Sequence, residues 1–384
     1  MHILWTGLLG LIALGWIAGA IELARGVRTI PALESVAPVQ DSECPSVSIL
    51  FAGRDEAEKL PGAIETMLSL DYPRYEVIAV DDRSDDATGA ILAAAAKKDL
   101  RLKPARVDSL PSGWLGKPYA LQQAYQRSSG EWLVFTDADV HFAPDLLRRA
   151  IALAKENDWE HLTLLGAPKM YTFGEKVALT FFGICFLMAT KPWRANDPKS
   201  RGYTGVGAFQ LIRRNAYEKM GTHRRLAMEV IDDIKLGKLV KEAGLRSGVA
   251  TGGDAVSVHW HAGLANTIRG TTKNFFAATG FKLRLITTQI IGTLLMFVFP
   301  VAALPFARGW VLAFALIAVG LPAIIGAGVA VKLGAPVAYA LTYPLGAVII
   351  CWMLTRSTIV TLWQGGVTWR GTFYSLEELK RGVV

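Results

Sequence analysis

Carboxylates recur at four points of the sequence, and each recurrence suggests a distinct piece of chemistry. In Phe135-Thr-Asp137-Ala-Asp139-Val140 one residue separates two aspartates. In an extended segment positions i and i+2 point the same way, so the pair can flank one hard cation. Mg2+ or Mn2+ takes oxygen ligands and often completes its shell with substrate phosphates. A diphosphate ester is the matching partner, since the metal would neutralise the charge of the leaving diphosphate. A second cluster is Asp81-Asp82-Arg83-Ser84-Asp85-Asp86, and a third is Arg54-Asp55-Glu56. The fourth, Met228-Glu229-Val-Ile-Asp232-Asp233, opens a helical run to Glu242 closed by Gly244. A carboxylate at such a helix start can serve as a general base.

Each cluster alone has a plainer explanation. Asp and Ser after a strand are favoured helix caps and turn formers. Asp in a first helical turn also complements the helix dipole. Their shared placement argues for chemistry. Val47–Ala52, Tyr75–Val80, Arg101–Val107 and Trp132–Phe135 are short runs that read as strands, and three of the clusters follow the first, second and fourth of them. Helical patterns over Pro61–Leu70, Ala87–Lys98, Lys117–Arg127 and Ala143–Lys155 alternate with these strands. Strands spaced by helices predict an α/β domain: a Rossmann-like, mostly parallel sheet with helices on both faces. Such sheets bind ligands at the carboxyl ends of their strands, where the clusters would share one crevice.

The rest of the chain is apolar. Residues 3–21 carry no charge and are followed by Arg25 and Arg28. That length spans a hydrocarbon core of about 30 Å, and the positive-inside rule puts the next domain in the cytoplasm. Residues 286–331 hold one charge, Arg308, and predict two spans with a turn near 307–310; residues 335–363 predict a third. Three spans would leave residues 368–384 outside, yet Trp369, Arg370, Lys380 and Arg381 suit a cytoplasmic surface. One apolar stretch is therefore expected to be re-entrant or a pair of half-spans. Hydrophobic residues make up 52% of the 384, charged residues 19%, and the mean hydropathy is +0.31. Typical soluble domains carry about 25% charged residues, so disorder is excluded and a fully soluble protein disfavoured. The net charge of +8 lies largely beside apolar segments, at Arg25, Arg28, Lys282, Arg284, Lys332 and Arg370. That placement suits a membrane surface; no nucleic-acid module accompanies it. Cys44, Cys185 and Cys351 are too scattered for a disulfide framework or a metal site. His259 and His261 flank Trp260 and read as interface residues before metal ligands, while Phe181, Phe182, Phe186 and Trp193 suggest an amphipathic or core-facing helix.

The ordered set resembles a membrane-bound inverting glycosyltransferase of family 2 with the GT-A fold, a hexosyltransferase class, across nearly the whole chain. By that resemblance Arg54, Asp55 and Glu56 form the first nucleotide-contacting element. Val80-Asp-Asp-Arg-Ser-Asp-Asp-Ala-Thr88 resembles the family's Asp-Asp-x-Ser-x-Asp signature, so Asp82 reads a uracil base with Asp81 and Asp85 in support. Trp114-Leu-Gly-Lys117 resembles a Gly-Lys element whose lysine approaches the donor phosphates. Asp137 and Asp139 stand at the DxD metal motif. Gly205-Val-Gly207-Ala-Phe-Gln210 sits where the family has a glycine-rich loop near sugar and acceptor. Ile231-Asp-Asp233 takes the place of the Glu-Asp motif, implying Asp233 as base with Asp232 beside it. The Gln/Arg-x-x-Arg-Trp motif of processive synthases is absent; Ile268-Arg-Gly-Thr-Thr-Lys273-Asn274-Phe-Phe276 stands there instead. A Lys-Asn element is similar to that of bacterial transferases acting on carotenoid acids, and the layout resembles hopanoid-associated enzymes. Lys273 and Asn274 would then contact donor or acceptor. The implied partners are a nucleotide-sugar donor, a membrane lipid acceptor and the bilayer, with Mg2+ or Mn2+ as cofactor and the cytoplasmic membrane as location. Rival readings are a transferase loading polyprenyl phosphate and a catalytically silent scaffold or lipid carrier. The expected organisation is a transmembrane helix over 1–24, a linker over 25–45 and a catalytic domain over 46–255. An interface segment over 256–285, helices over 286–363 and a tail over 364–384 follow.

Overall fold

The computed structural model describes residues 2–384. The helices, in chain order, are α1 (His2–Val27), α2 (Leu60–Leu68), α3 (Thr88–Ala96), α4 (Gly116–Arg127), α5 (Leu146–Glu156), α6 (Phe173–Thr190), α7 (Arg214–Lys219), α8 (Asp232–Glu242), α9 (Leu264–Thr271), α10 (Asn274–Ala278), α11 (Leu283–Thr293), α12 (Phe299–Ala303), α13 (Gly309–Lys332), α14 (Tyr343–Gln364) and α15 (Leu376–Arg381). The strands are β1 (Val47–Gly53), β2 (Tyr75–Asp82), β3 (Leu102–Val107), β4 (Trp132–Asp137), β5 (Val140–Phe142), β6 (His161–Pro168), β7 (Gln210–Arg213), β8 (Ser247–Val258), β9 (Gly366–Trp369) and β10 (Thr372–Ser375).

These elements form two compact units. One holds residues 30–169, 192–259 and 368–384; the other holds 1–29, 170–191 and 260–367. The uninterrupted catalytic domain expected over 46–255 is thus broken by α6, and residues 368–384 join the sheet unit instead of forming a separate tail. A single residue-by-residue hydropathy reading misses this because both departures are set by long-range packing.

In the sheet unit, eight strands lie in the order β3-β2-β1-β4-β7-β6-β8-β5. β1 runs parallel to β2 and β4, and β2 parallel to β3. β7 enters antiparallel between β4 and β6, and β5 pairs antiparallel with β8. The sheet is therefore mixed, with its parallel half made from the strands anticipated in the sequence. Alternation sorts the side chains of that half into two cores. Ile49, Phe51, Val77 and Val134 pack with Ala63, Ile64 and Met67 of α2 and Leu147, Ala150 and Ile151 of α5. Leu50, Ile78, Val80, Leu133 and Phe135 pack with Leu121 of α4, Tyr217 of α7 and Leu236 and Leu239 of α8. Every residue of β2 is buried, as expected for a strand covered on both faces. Burying one such Leu, Ile or Val contributes roughly 1.5–3 kcal/mol.

The other unit contains long apolar helices. Among the described residues, five stretches are long and apolar enough to cross a membrane: Trp5–Val27, Phe173–Arg194, Leu283–Phe306, Gly309–Lys332 and Val337–Gln364. Four match the spans read from the sequence; the α6 stretch is additional. β6 and β7, which flank α6, hydrogen-bond to each other, so one complete crossing by α6 would divide a single sheet. Likewise, residues 192–259 and 368–384 belong to one unit, and an even number of crossings between them would keep that unit on one side of a membrane. Leu283–Phe306 is the irregular member of its three candidates, with a π-helical turn at Leu294–Val298 followed by Pro300. Small residues allow close helix approach here: a Cβ on Gly346 would lie 2.4 Å from that of Phe181. Leu11, Leu14, Trp310, Ile324 and Trp352 are exposed, a surface suited to lipid.

Candidate active site

The parallel half of the sheet carries its charged residues to one edge. Register places Gly53 of β1 beside Asp81 of β2, and Ala52 beside Asp137 of β4. Past the ends of β1 and β2 the chain turns through left-handed residues, Asp55 (φ 54°) and Arg83 (φ 59°). Each such residue costs on the order of 1–3 kcal/mol, and a web of hydrogen bonds offsets it. The Asp55 N–H donates to Ser84 Oγ at 3.1 Å, and the Asp85 N–H to Asp55 Oδ1 at 2.9 Å. The Asp86 carboxylate accepts from the N–H groups of Ala57 and Thr88 at 3.0 and 2.9 Å. The two strand-end loops therefore form one lattice, in which Asp85 takes part through its backbone.

Asp81 is 2% exposed and accepts from Ser84 N–H and Arg106 Nη1. Asp82 is 5% exposed and accepts a forked pair of bonds from Arg83, at 2.8 and 3.2 Å. Arg54 donates Nη1 to Thr372 Oγ1 at 3.3 Å, while its Nε is buried with no hydrogen-bond partner. Glu56 pairs with Arg370, and burial holds its carboxyl above the usual range.

Lys117, in the first turn of α4, joins the next group. Its ammonium donates to Asp137 Oδ1 at 2.6 Å and lies 3.8 Å from Asp232 Oδ2. Burial works against its charge, yet Asp137, Asp232 and Asp233 hold its pKa well above the ordinary value. Gly207 connects this group to the head of α8. Its N–H donates to Asp233 Oδ2 at 3.0 Å, and a Cβ on it would lie 2.5 Å from Asp137 Oδ2. A Cβ on Gly205 would lie 2.0 Å from the Asp233 carbonyl oxygen. Gln210, at the start of β7, donates its amide to that same carbonyl at 3.2 Å. Lys117, Gly207, Gln210, Asp232 and Asp233 line one cavity with Thr136 and His223.

Asp137 and Asp139 are not held alike. β4 ends at Asp137, and Ala138 and Asp139 lie in a turn, so the extended geometry assumed for the pair does not apply. Asp139 pairs with Lys59 at 2.8 Å, whereas Asp137 faces Lys117. Among the described residues no group of three or more His, Cys, Asp or Glu side chains is placed to hold a metal. A donor set limited to two carboxylates fits a hard cation that takes its remaining oxygens from phosphates and water; it does not fit a closed site for a softer metal. Lys273 and Asn274 fall in the other unit, where Lys273 Nζ donates to Asn274 Oδ1 at 2.8 Å.

Two buried histidines, His161 and His223, stand behind these residues. His161 meets Ser247 Oγ at 2.9 Å and Gln210 Oε1 at 3.1 Å, so it supports the side chain that holds the Asp233 carbonyl. His223 meets the Tyr217 phenol at 2.6 Å. Burial lowers their pKa values from 6.5 to about 4 and about 3, with Lys117 adding to the effect at His223. Neither lies in a recognisable motif. The sign of their pH linkage is definite: below about pH 6.5 the unfolded chain takes up protons that the folded one refuses, favouring unfolding. Stability should fall on acidification from pH 6.5 towards 4, by about 1.4 kcal/mol per pH unit for each histidine. Denaturation midpoints of wild type and His161→Gln across that window check this; equal slopes would show that His161 is not held neutral.

The mixed sheet with helices on both faces is a GT-A fold. A mannosyltransferase from Pyrobaculum calidifontis, solved with GDP-Man and Mn2+, shares it. The TM-score is 0.55 at 17% identity, covering 94% of this chain and 99% of that one. Residues 48–221 match the family model for glycosyl transferase family 2. It is 32% identical over 188 residues to a beta-monoglucosyldiacylglycerol synthase of Trichormus variabilis, covering 41% of this chain and 39% of the relative. It is 25% identical over 233 residues to a 4,4'-diaponeurosporenoate glycosyltransferase of Staphylococcus haemolyticus, covering 60% of each. The chain thus spans about two-fifths of the length of the first of these relatives.

Proposed function

We propose that the chain transfers a hexose from a UDP-linked sugar to a hydroxyl or carboxyl group of a membrane lipid, with inversion at the anomeric carbon. The carrying observation is Gly207, which lines one cavity with Lys117 and Asp233, donates its N–H to Asp233, and leaves no room for a Cβ beside Asp137. A donor diphosphate near Asp137 and Lys117 then leaves its sugar within reach of Asp233. Asp82 and its neighbours take the base, and Arg54 approaches phosphate. Asp137 and Asp139 are the residues to hold Mg2+ or Mn2+, which when bound neutralises charge on the diphosphate. Asp233 takes the proton from the acceptor hydroxyl as its oxygen bonds to the anomeric carbon. The bond from that carbon to the diphosphate oxygen breaks, releasing the nucleoside diphosphate. An acceptor carboxylate is already ionised at neutral pH and asks less of the base.

The names of the two relatives support a lipid acceptor, among which a diacylglycerol, a carotenoid acid and a hopanoid are the candidates. The apolar helices support a multi-pass membrane protein, and Arg25 and Arg28 support an inner membrane with the sheet unit on its cytoplasmic side. The test is nucleoside diphosphate release by the purified protein in vesicles containing each lipid class, with UDP- and GDP-sugars, and mass spectrometry of the lipids. A sugar-lipid product with UDP release is expected. A product only with polyprenyl phosphate favours that rival acceptor, and absence of release with every donor favours a silent carrier.

A further inference from the structure

Residues 368–384 are built into the rim that the sequence assigns to the nucleotide. Thr372 Oγ1 accepts from both Arg54 Nη1, at 3.3 Å, and Arg83 Nη1, at 3.5 Å. Arg370 pairs with Glu56. Tyr374, 7% exposed, accepts the Gly116 N–H on its phenol oxygen at 3.2 Å. That N–H opens α4, whose N-cap position is Leu115, a residue with no side-chain oxygen to offer. Unsatisfied N–H groups at a helix start need a partner, and Tyr374 supplies one from far along the chain. The fit is close: a Cβ on Gly116 would lie 2.3 Å from Asp82 Oδ2 and 2.6 Å from Arg83 Nη2. Behind the hairpin β9–β10, Leu379 is fully buried, and the Val384 N–H donates to Glu229 at 3.1 Å.

We propose that residues 368–375, the end of β9 with β10, are a working wall of the donor site, with Tyr374 and Thr372 as positioning residues for nucleotide recognition. Tyr374 fixes the start of α4, and so Lys117, against Asp82. Thr372 holds the two arginines at the spacing the nucleotide meets. The ligand is a nucleoside diphosphate, whose phosphates match the arginines and Lys117 and whose base meets Asp82. The inference rests on the donor reading given above.

The test is UDP and UDP-sugar binding by the full-length protein in vesicles, with donor KM and kcat measured alongside. Tyr374→Phe removes one hydroxyl, and loss of one buried hydrogen bond corresponds to a change of about five- to tenfold. Donor Kd and KM should rise by that factor with kcat unchanged. Thr372→Val should act in the same direction, and Thr372→Ser should restore affinity. Lys380→Ala, an exposed change on α15, should leave all values alone. If Tyr374→Phe fails to fold, the Thr372 pair decides. Wild-type affinity in both Tyr374→Phe and Thr372→Val overturns the proposal, as does a fall in kcat with Kd unchanged. Wild type that binds no nucleotide overturns the donor reading itself, a separate outcome.

Discussion

Asp233→Asn lowers turnover by about 10²- to 10⁴-fold, the usual contribution of a general base, and leaves donor affinity within about twofold of wild type. The two acids at the head of α8 point about 100° apart, from 3.6 residues per turn, so they cannot face the reacting centre equally. Asp232 is 5% exposed and lies 3.8 Å from the Lys117 ammonium. Asp233 is the more open of the two, and its carboxylate is oriented by the N–H groups of Gly207 and Ile234 at 3.0 and 2.8 Å. The amide keeps the size of the acid and removes its capacity to take a proton. Asp232→Asn is the milder change, acting through Lys117. The measurements are kcat and donor Kd for both variants on one hydroxyl acceptor. Greater damage from Asp232→Asn would move the base by one residue. Loss of donor binding with turnover preserved would assign Asp233 to the donor.

Asp137→Ala raises donor Kd on the order of 10²-fold, matching the several kcal/mol that a metal's charge contributes at such a site, and abolishes its dependence on divalent ions. Asp139→Ala acts in the same direction but less strongly. The asymmetry follows from the geometry: Asp137 lies against Gly207 and Lys117, whereas Asp139 lies in the following turn beside Lys59. Each lysine sits on a carboxylate that a cation would share, so a donor complex must divide these oxygens between metal and ammonium. Calorimetric titration with a UDP-sugar, in Mn2+ and in excess chelator, reads both effects. Wild-type binding and transfer that are indifferent to chelator would remove the metal and leave Lys117 as the main counter-charge.

The strand ends were legible in the sequence because strand, turn and helix signals are local. Asp81, Asp82, Lys117, Asp137 and Asp233 each follow or open an element whose apolar pattern marks it, and those elements form within a few residues of their expected bounds. The antiparallel insertion of β7, and the supporting pair of His161 and Gln210, depend on contacts between distant segments and leave no periodic trace. α6 is apolar from Val177 onwards, so hydropathy alone cannot separate a core helix from a membrane one. Tyr374 was invisible for the plainest reason: its partner is the backbone of Gly116, which carries no side-chain signature.

That long-range cap also imposes an order on biosynthesis. All eight strands of the sheet have been synthesised once the chain reaches Val258, and domains generally fold as units during synthesis. The hairpin that closes the rim emerges only after the apolar helices from Leu283 to Gln364 have been made. A nascent chain can therefore assemble its sheet early while the start of α4 still lacks Tyr374. On the proposed donor reading, Tyr374 reaches the rim only after these apolar helices have been made. Completion of the donor rim is thus tied, on that reading, to synthesis of the apolar helices that precede it in the chain.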